Sequence, residues 1–218
     1  MLASHGPHET SRAVAIIDYG IGNLGSLANA IKRLGYRPDL ITDPKRLGDY
    51  EHAILPGVGH FGACVTRLRS AGFEEPILER IRADRWLLGI CVGMQLLFEG
   101  SEESDQSGLG VLAGRVSRMR PGQRLPEMQW NRLHVAGDAH PAFALIEDGT
   151  WSYFVHSYAA MESADAIAWE DYGGRYVAAV AKGALLGVQF HPEKSGVSGL
   201  KLLAGALRWS PGSEVHSR

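Results

Sequence analysis

Short runs of apolar residues alternate along the first half of the chain with segments whose apolar side chains recur every three or four positions. The apolar runs, which are typical of strands buried on both faces of a parallel sheet, are residues 13–19, 52–55 and 86–90. The segments with helical periodicity are residues 24–35, 61–71 and 74–84. This alternation predicts an α/β fold in which helices flank a mostly parallel central sheet.

The pattern changes after about residue 108 to strand-like pieces separated by Gly, Pro and Asp. These pieces are residues 111–119, 151–161, 165–170, 176–183 and 184–190. We expect them to extend the sheet in an antiparallel sense, and we expect a last helix over 197–209. The chain is therefore interpreted as one domain over 13–210, with a disordered N-terminal tail at 1–12 and a C-terminal tail at 211–218.

Composition supports a globular domain and argues against several other classes. The 218 residues are 45% hydrophobic and 21% charged, which is enough to bury a full core. A net charge of −2 gives no electrostatic case for binding nucleic acid or an anionic membrane, and no apolar run approaches the ~20 residues of a membrane span. The first dozen residues lack the apolar centre of a signal peptide, and two cysteines are too few for a disulfide framework. We therefore expect a reduced, cytoplasmic protein.

A glycine motif at the end of the first predicted strand raises the question of a dinucleotide. The spacing G-x-G-x-x-G, which places a pyrophosphate on a helix N-terminus, is matched by Gly20, Gly22 and Gly25. Asp39 and Asp43 lie near the distance at which a ribose-binding carboxylate is expected. Against this interpretation, Asp18 stands where the fingerprint requires a buried strand residue.

The stretch "WLLGICVGMQLLFEG" holds the strongest candidate nucleophile, Cys91. An apolar strand runs into G-x-C-x-G, the thiol version of a nucleophile elbow, in which a sharp turn lifts the nucleophile above the sheet. Gly89 and Gly93 remove Cβ atoms that would clash there, and a helix is expected to continue through Leu96–Phe98. A buried structural cysteine is the alternative. The glycines favour the nucleophile for Cys91, whereas Cys64 has no such setting and is interpreted as structural.

A nucleophilic cysteine needs a base, and "GVQFHPEKS" offers His191 with Glu193. Pro192 favours extended backbone before it, and residues i and i+2 of an extended chain point the same way, so Glu193 can orient the imidazole. Such a pair alone is a weak signal, because most are solvated surface residues. The remaining histidines considered, which show no metal-ligand spacing, are His52, His60, His134, His140 and His156. No metal site is expected.

Acyl chemistry also requires donors for a developing oxyanion. The segment "PGVG" at 56–59 leaves a predicted strand through a turn that can aim backbone N–H groups at negative charge. Taken alone, it is equally well explained as a tight turn.

Three segments together, "PGVG", "GICVGMQLL" and "QFHPEKS", resemble the class I (triad) glutamine amidotransferases in order and spacing. The resemblance covers roughly 13–209. It is closest to the histidine-biosynthesis branch of that family, on the segments "IIDYGIGNLGSLANAI", "GLGVLAGRV", "MQWNRL" and "YFVHSY". It implies a flavodoxin-like α/β domain, and it identifies residues 18–25 as the start of such a glutaminase. No dinucleotide and no other cofactor are therefore expected.

The resemblance also implies site residues and a reaction. Cys91 attacks the side-chain amide of L-glutamine, and His191, supported by Glu193, transfers the protons that release ammonia and then glutamate. The backbone N–H groups implied for the oxyanion belong to Gly57 or Val58 and to Val92. The residues implied to contact the substrate are Gly59, Gln95, Ser157 and Tyr158.

Members of this branch work as heterodimers with a (β/α)₈ cyclase subunit, which accepts the ammonia and makes imidazole glycerol phosphate and an aminoimidazole carboxamide ribonucleotide. The positions that match the interface are Asn23, Trp130, Asn131 and Lys194, although Trp130 is equally well explained as a core tryptophan. Gln129 replaces the usual Gly before Trp-Asn. Two alternatives stay open, a triad glutaminase that serves another pathway or hydrolyses γ-glutamyl substrates alone, and an idle partner-binding module.

Overall fold

The computed structural model describes residues 13–120, 122–137 and 140–209. The predictions for the tails at 1–12 and 211–218 lie outside these residues. The strands, in chain order, are β1 (Ala13–Ile17), β2 (Arg37–Ile41), β3 (His52–Leu55), β4 (Leu87–Ile90), β5 (Phe98–Ser101), β6 (Ser104–Ser107), β7 (Leu112–Arg118), β8 (Glu127–Val135), β9 (Thr150–His156), β10 (Tyr158–Ala160), β11 (Ala166–Asp171), β12 (Arg175–Lys182) and β13 (Leu185–Val188). The α-helices are α1 (Leu24–Arg33), α2 (Phe61–Ser70), α3 (Glu74–Arg82), α4 (Val92–Gln95) and α5 (Gly196–Arg208).

The main sheet has nine strands in the order β2-β1-β3-β4-β13-β12-β11-β8-β9. The first five are parallel, and the last four continue the sheet in an antiparallel sense. The apolar runs give β1, β3, β4 and β13, in which every residue is buried. The predicted α/β domain, with a mostly parallel sheet and an antiparallel extension, is confirmed.

One part of the predicted extension is wrong. Residues 111–119 give β7, which joins a separate four-stranded sheet in the order β10-β7-β5-β6. The piece at 151–161 splits into β9 in the main sheet and β10 in the small one. The small sheet forms because the segment after Cys91 returns to extended backbone at Phe98, which pairs with Leu112.

The helix expected to run through Leu96–Phe98 is also shorter than predicted, because α4 ends at Gln95. Leu96, Leu97 and Phe98 are fully buried. Leu96 and Leu97 form a turn and Phe98 begins β5, so their apolar pattern reflects the burial of a turn and a strand end rather than the inner face of a helix. Among the described residues, no helix combines the length and the apolar composition that a membrane span needs.

Two backbone turns lie against each other at the carboxyl ends of β3 and β4. A methyl group placed on Gly93 would overlap the Leu55 carbonyl oxygen, and one on Gly57 would lie 2.6 Å from the Gly93 nitrogen. A methyl group on Gly89 would lie 2.9 Å from the Gly93 carbonyl oxygen. Backbone atoms cannot move away as a flexible side chain can, so these glycines permit a contact that no other residue allows.

Gly93→Ala is therefore expected to destabilise the protein by about 2 kcal/mol or more, because overpacking against fixed backbone is costly. The matched control is Gly25→Ala on the exposed side of α1, where a methyl group meets nothing within 4 Å. That control should leave stability unchanged or raise it by up to about 1 kcal/mol, since Ala favours a helix over Gly. Urea unfolding of both variants measures the difference, and equal stabilities would contradict the close backbone contact.

Candidate active site

Cys91 lies at the sharp turn between β4 and α4 and has a strained backbone. Its φ of 54° and ψ of −114° lie outside the regions that side-chain-bearing residues favour. Its N–H donates to the Val188 carbonyl oxygen at 2.8 Å, which holds the turn against β13. Positive φ at a residue other than glycine persists where the surroundings enforce it, often at functional sites. This is the geometry that the elbow motif predicted.

His191 follows β13 and is held on every side. Its Nδ1 lies 2.8 Å from Glu193 Oε1, and both side chains are almost fully buried. The His191 N–H donates to the Tyr153 carbonyl oxygen at 3.0 Å, and its carbonyl oxygen accepts from the Ser195 hydroxyl at 2.7 Å. Glu193 and these backbone contacts together fix the orientation of the imidazole ring.

The proton on this ring depends on Cys91 as well as on Glu193. Burial alone would lower the pKa of His191, but hydrogen bonding and charge from the Cys91 sulfur and the Glu193 carboxylate outweigh it and raise the pKa to about 10. Among the described residues, His191 Nε2 has no nitrogen or oxygen partner, so it is left to face the sulfur. A protonated imidazole beside a thiol stabilises the thiolate, which is the nucleophilic form.

A pocket of about 340 Å³ opens over Cys91 and His191. The other predicted site residues that line it are Val58, Gly59, Val92, Gln95, Ser157 and Tyr158. Glu193 stands behind the histidine, and Gly57 is buried under the turn of Gly93. Residues at the wall that the sequence did not single out as site residues are Glu103, Pro126, Val155 and His156. The volume is at the lower end of the range of small-molecule sites.

Two buried side chains hold the predicted oxyanion turn at 56–59. The Tyr19 hydroxyl donates to the Pro56 carbonyl oxygen at 2.8 Å, and the Cys64 thiol donates to the Val58 carbonyl oxygen at 3.4 Å. Burial raises the pKa of the Cys64 thiol to about 11, so it stays neutral. Cys64 thus has a structural position beneath the turn. No described hydrogen bond holds the peptide between Gly57 and Val58.

Gln189 is a buried neighbour of the nucleophile that the sequence analysis missed. Its Nε2 lies 3.8 Å from the Cys91 sulfur, and its Oε1 accepts from Gln95 Nε2 at 3.1 Å. Gln95 Nε2 also donates to the Tyr158 carbonyl oxygen at 2.9 Å. The signal was present in the sequence, because Gln189 precedes His191 by two residues in extended chain.

The four predicted interface residues lie in different surroundings. Trp130 is 48% exposed and packs edge-on against Tyr153, so it is not a core tryptophan. Lys194 is exposed, lines the pocket and lies 5.9 Å from the Tyr153 ring centre. Asn23 is half-buried at the start of α1. Asn131 points away from the Trp130 surface, because adjacent residues of β8 face opposite sides, and it donates to Glu127 and to the Asp171 carbonyl oxygen.

The glycine motif at 20–25 has its first backbone N–H engaged by a side chain of the same segment. The Gly20 N–H donates to Asp18 Oδ1 at 3.0 Å, so the Asp18 carboxylate already takes that donor. A different group with ligand chemistry lies on the far sheet extension, where Glu127, His156 and Glu170 meet in the interior. The spacing of the histidines in the sequence gave no indication of it.

A strained cysteine elbow on an α/β sheet, with a buried histidine–carboxylate pair beside it, defines a class of cysteine-dependent acyl-transfer enzymes. Comparison with known proteins agrees. The family model Glutamine amidotransferase class-I matches residues 15–205. The chain belongs to this family. Within the family it groups with relatives named imidazole glycerol phosphate synthase subunit HisH.

Two such relatives illustrate the similarity. The HisH subunit of Dehalococcoides mccartyi (strain CBDB1) is 46% identical over 204 residues, which cover 92% of this chain and 99% of the relative. That of Synechococcus sp. (strain JA-3-3Ab) is 44% identical over 195 residues, covering 87% and 90%. Among solved structures, PurLQS from Thermotoga maritima has a TM-score of 0.71 at 21% identity, covering 89% of this chain and 97% of the other. A structure described as glutamine amidotransferase has a TM-score of 0.70 at 23% identity, with the same coverage.

The raised pKa of His191 leads to a prediction for its ring nitrogens. Both should stay protonated between about pH 6 and pH 9, because the pKa of about 10 lies above this window. In Glu193→Gln the carboxylate charge is lost, so the pKa of His191 falls and the ring loses its proton at a pH closer to this range. Nitrogen-15 NMR of the imidazole measures both. Glu99→Gln, on the surface, serves as the charge-matched control and should leave the titration unchanged. A wild-type midpoint near the ordinary 6.5 would contradict the structure.

Proposed function

We propose that this chain is the glutaminase subunit of an imidazole glycerol phosphate synthase. It hydrolyses L-glutamine to glutamate and ammonia, and it passes the ammonia to a (β/α)₈ cyclase partner that carries out the lyase reaction. The observation that carries the proposal is the strained Cys91 beside the His191–Glu193 pair in one pocket. The HisH relatives support the choice of pathway, since the D. mccartyi protein matches over almost its whole length.

The proposed mechanism follows from the positions of these groups. The Cys91 thiolate attacks the side-chain amide carbon of glutamine, and N–H groups of Val58 or Gly57 and of Val92 stabilise the oxyanion. The His191 imidazolium gives its proton to the departing ammonia, which leaves a γ-glutamyl thioester. The neutral imidazole then takes a proton from water, whose oxygen attacks the thioester and releases glutamate and the thiolate. Glutamine and water thus yield glutamate and ammonia.

The pocket wall suggests how glutamine is oriented. Glu103 supplies a carboxylate that suits an α-ammonium group, and Ser157 and Tyr158 stand where they can hold the polar end of the substrate. Gln95 has committed its Nε2 to protein acceptors, so its Oε1 is left to accept from a substrate N–H. Gly59 lines the same pocket and leaves room beside the nucleophile.

The partner is proposed to dock on the exposed face around the pocket mouth. Met128 and Trp130 of β8 are large exposed apolar residues on one side of the strand, and Val197 lies just beyond Lys194. Exposed tryptophan and methionine side by side are typical of a protein interface. Lys194 belongs both to this face and to the pocket, and it follows the Glu193 of the histidine pair directly. A protein bound here can therefore influence the reaction centre across one or two residues.

Cys91→Ala is expected to abolish glutamine-dependent synthesis by the assembled complex and to leave synthesis from ammonium salts intact, because only ammonia generation is lost. The matched control is Cys64→Ser, which keeps a donor for the Val58 carbonyl oxygen and should retain both activities. Product formation is measured with each nitrogen source. Loss of both activities in a folded Cys91→Ala complex would show that Cys91 has another role.

The chain alone is expected to be nearly inactive. The carbonyl oxygens of Pro56 and Val58 accept hydrogen bonds from Tyr19 and Cys64, which fix their peptide groups. The peptide group between Gly57 and Val58 has no such bond, so it can turn either its carbonyl or its N–H toward the oxyanion. A missing donor costs about 3–4 kcal/mol, or ~10²–10³ in rate. Docking with acceptor bound would favour the donating arrangement.

Glutamate release by the chain alone, with the cyclase, and with the cyclase plus acceptor measures this dependence. Lys194→Ala and Asn23→Ala should lose part of the stimulation, whereas Lys201→Ala, on the exposed side of α5, should keep it. Full activity of the isolated chain would refute the idea.

A further inference from the structure

We propose that Glu127, His156 and Glu170 form a binding site for a divalent transition-metal ion, with Zn²⁺ as the best-matched ion. The site lies behind the wall of the glutamine pocket and takes no part in the chemistry at Cys91. The metal-site proposal rests on the geometry of these three side chains and is independent of the proposed glutaminase function.

Three adjacent strands of the antiparallel extension bring the side chains together. Glu127 begins β8, His156 ends β9, and the two residues are directly paired across the strands. Glu170 lies on β11, the other neighbour of β8. All three side chains are buried, with the two glutamates 0% exposed and the histidine 6% exposed. The ligand set is therefore fixed by sheet backbone rather than by loops.

The three facing atoms are those of a ligand set. Glu127 Oε2, His156 Nε2 and Glu170 Oε1 lie within 4.8 Å of one another. His156 Nε2 is 3.0 Å from Glu170 Oε1 and 3.8 Å from Glu127 Oε2. Ligand atoms on a tetrahedral Zn²⁺ with bonds of about 2.0–2.1 Å are roughly 3.4 Å apart, so these separations bracket the required value. Within the described part of the chain, none of the three atoms makes a hydrogen bond of good geometry.

The other polar atoms of the same side chains are engaged, and this orients the free ones. His156 Nδ1 lies 3.2 Å from the Tyr158 carbonyl oxygen and donates to it, which leaves the Nε2 lone pair facing the carboxylates. Glu127 Oε1 accepts from Gln129 and Asn131 at 3.2 and 3.1 Å, and Asn131 also reaches Glu170 Oε2 at 3.5 Å. A backbone carbonyl on the histidine and amides on the carboxylates are the usual outer partners of metal ligands.

Charge points to a divalent ion. When both glutamates are ionised and the imidazole is neutral the set carries −2, and no described Lys or Arg pairs with it. A divalent cation neutralises the set. One imidazole with two carboxylates suits Zn²⁺, whereas Mg²⁺ keeps several waters and Ca²⁺ needs six to eight oxygen ligands.

A bound ion would join β8, β9 and β11 at one point. His156 itself lines the glutamine pocket and precedes Ser157 and Tyr158 on the pocket wall. The ion would therefore stiffen the antiparallel extension and the wall that it carries, as a structural site does.

The test measures Zn²⁺ in the full chain carrying Cys91→Ala, so that the reactive thiol cannot bind the metal. After treatment with EDTA and dialysis against Zn²⁺, elemental analysis should give one ion per chain, and the thermal unfolding midpoint should rise. Mg²⁺ at the same concentration should give neither result. Co²⁺ should give the visible spectrum of a tetrahedral site with nitrogen and oxygen ligands and no thiolate band.

Glu127→Gln and Glu170→Gln should each abolish the stoichiometric binding. Asn131→Ala, at a half-buried position, keeps the ligands but removes their outer partner, and it should weaken binding by about 10–100-fold even if the glutamate variants fold poorly. The matched control is His134→Ala, whose histidine contacts Asp148 and Asp171 near the surface and should leave binding unchanged. No Zn²⁺ retained by the parent chain, or equal retention by the Glu127→Gln variant, would overturn the proposal. None of these measurements depends on glutaminase activity.

Discussion

The backbone contact between the turns that follow β3 and β4 is the constraint on which the site depends. Gly93 lies against the Leu55 carbonyl and Gly57 against the Gly93 nitrogen, so the predicted oxyanion turn and the cysteine elbow meet with no side chain between them. The two strands are parallel neighbours, and β4 is paired on its other side with β13, which leads into His191. The carboxyl ends of three adjacent parallel strands thus deliver the turn, the thiol and the base to one edge, as is usual in open α/β sheets.

Much of this arrangement could be predicted from the sequence, because its parts carry strong local signals. Fully apolar runs predicted the buried parallel strands. The glycines on both sides of Cys91 predicted a turn at which neighbouring backbone comes too close for a Cβ atom. The His191–Glu193 contact was also predicted, although its reason was wrong, because Pro192–Lys194 form a 3-10 turn rather than extended backbone and this turn brings Glu193 Oε1 to His191 Nδ1. Each of these inferences uses residues that are neighbours in the chain.

The features that were missed depend on pairing between distant segments. Leu96–Phe98 looked like the inner face of a helix, since a short apolar run has no period that separates it from a buried strand. The pairing of Phe98 with Leu112 decided the structure. Strand β8 has no apolar run at all, because only Glu127 and Leu133 are buried and the side chains between them are exposed or half-buried. The buried Glu127 was invisible to a criterion that expects apolar residues inside.

The two faces of β8 have distinct roles. Met128 and Trp130 point to solvent beside the pocket mouth, and Glu127 and Asn131 point to the interior side of the extension. Because the side-chain period of a strand is two residues, a shift of register by one would exchange these faces, turning the tryptophan inward and Glu127 outward. The exposed apolar face and the buried polar cluster are therefore fixed together, and neither can change register alone.

Two of the buried histidines, His191 and His156, show how geometry decides where a proton resides. His191 faces one carboxylate at hydrogen-bond distance and a thiol, and their combined charge and hydrogen bonds raise its pKa to about 10 despite burial. His156 faces two carboxylates, yet its pKa falls to about 4, since burial dominates and both neighbours have raised pKa values of their own. The first environment stores a proton on the ring, which a leaving ammonia can take. The second keeps the imidazole neutral, with its free nitrogen facing two carboxyl groups, so it has no proton to give to a reaction.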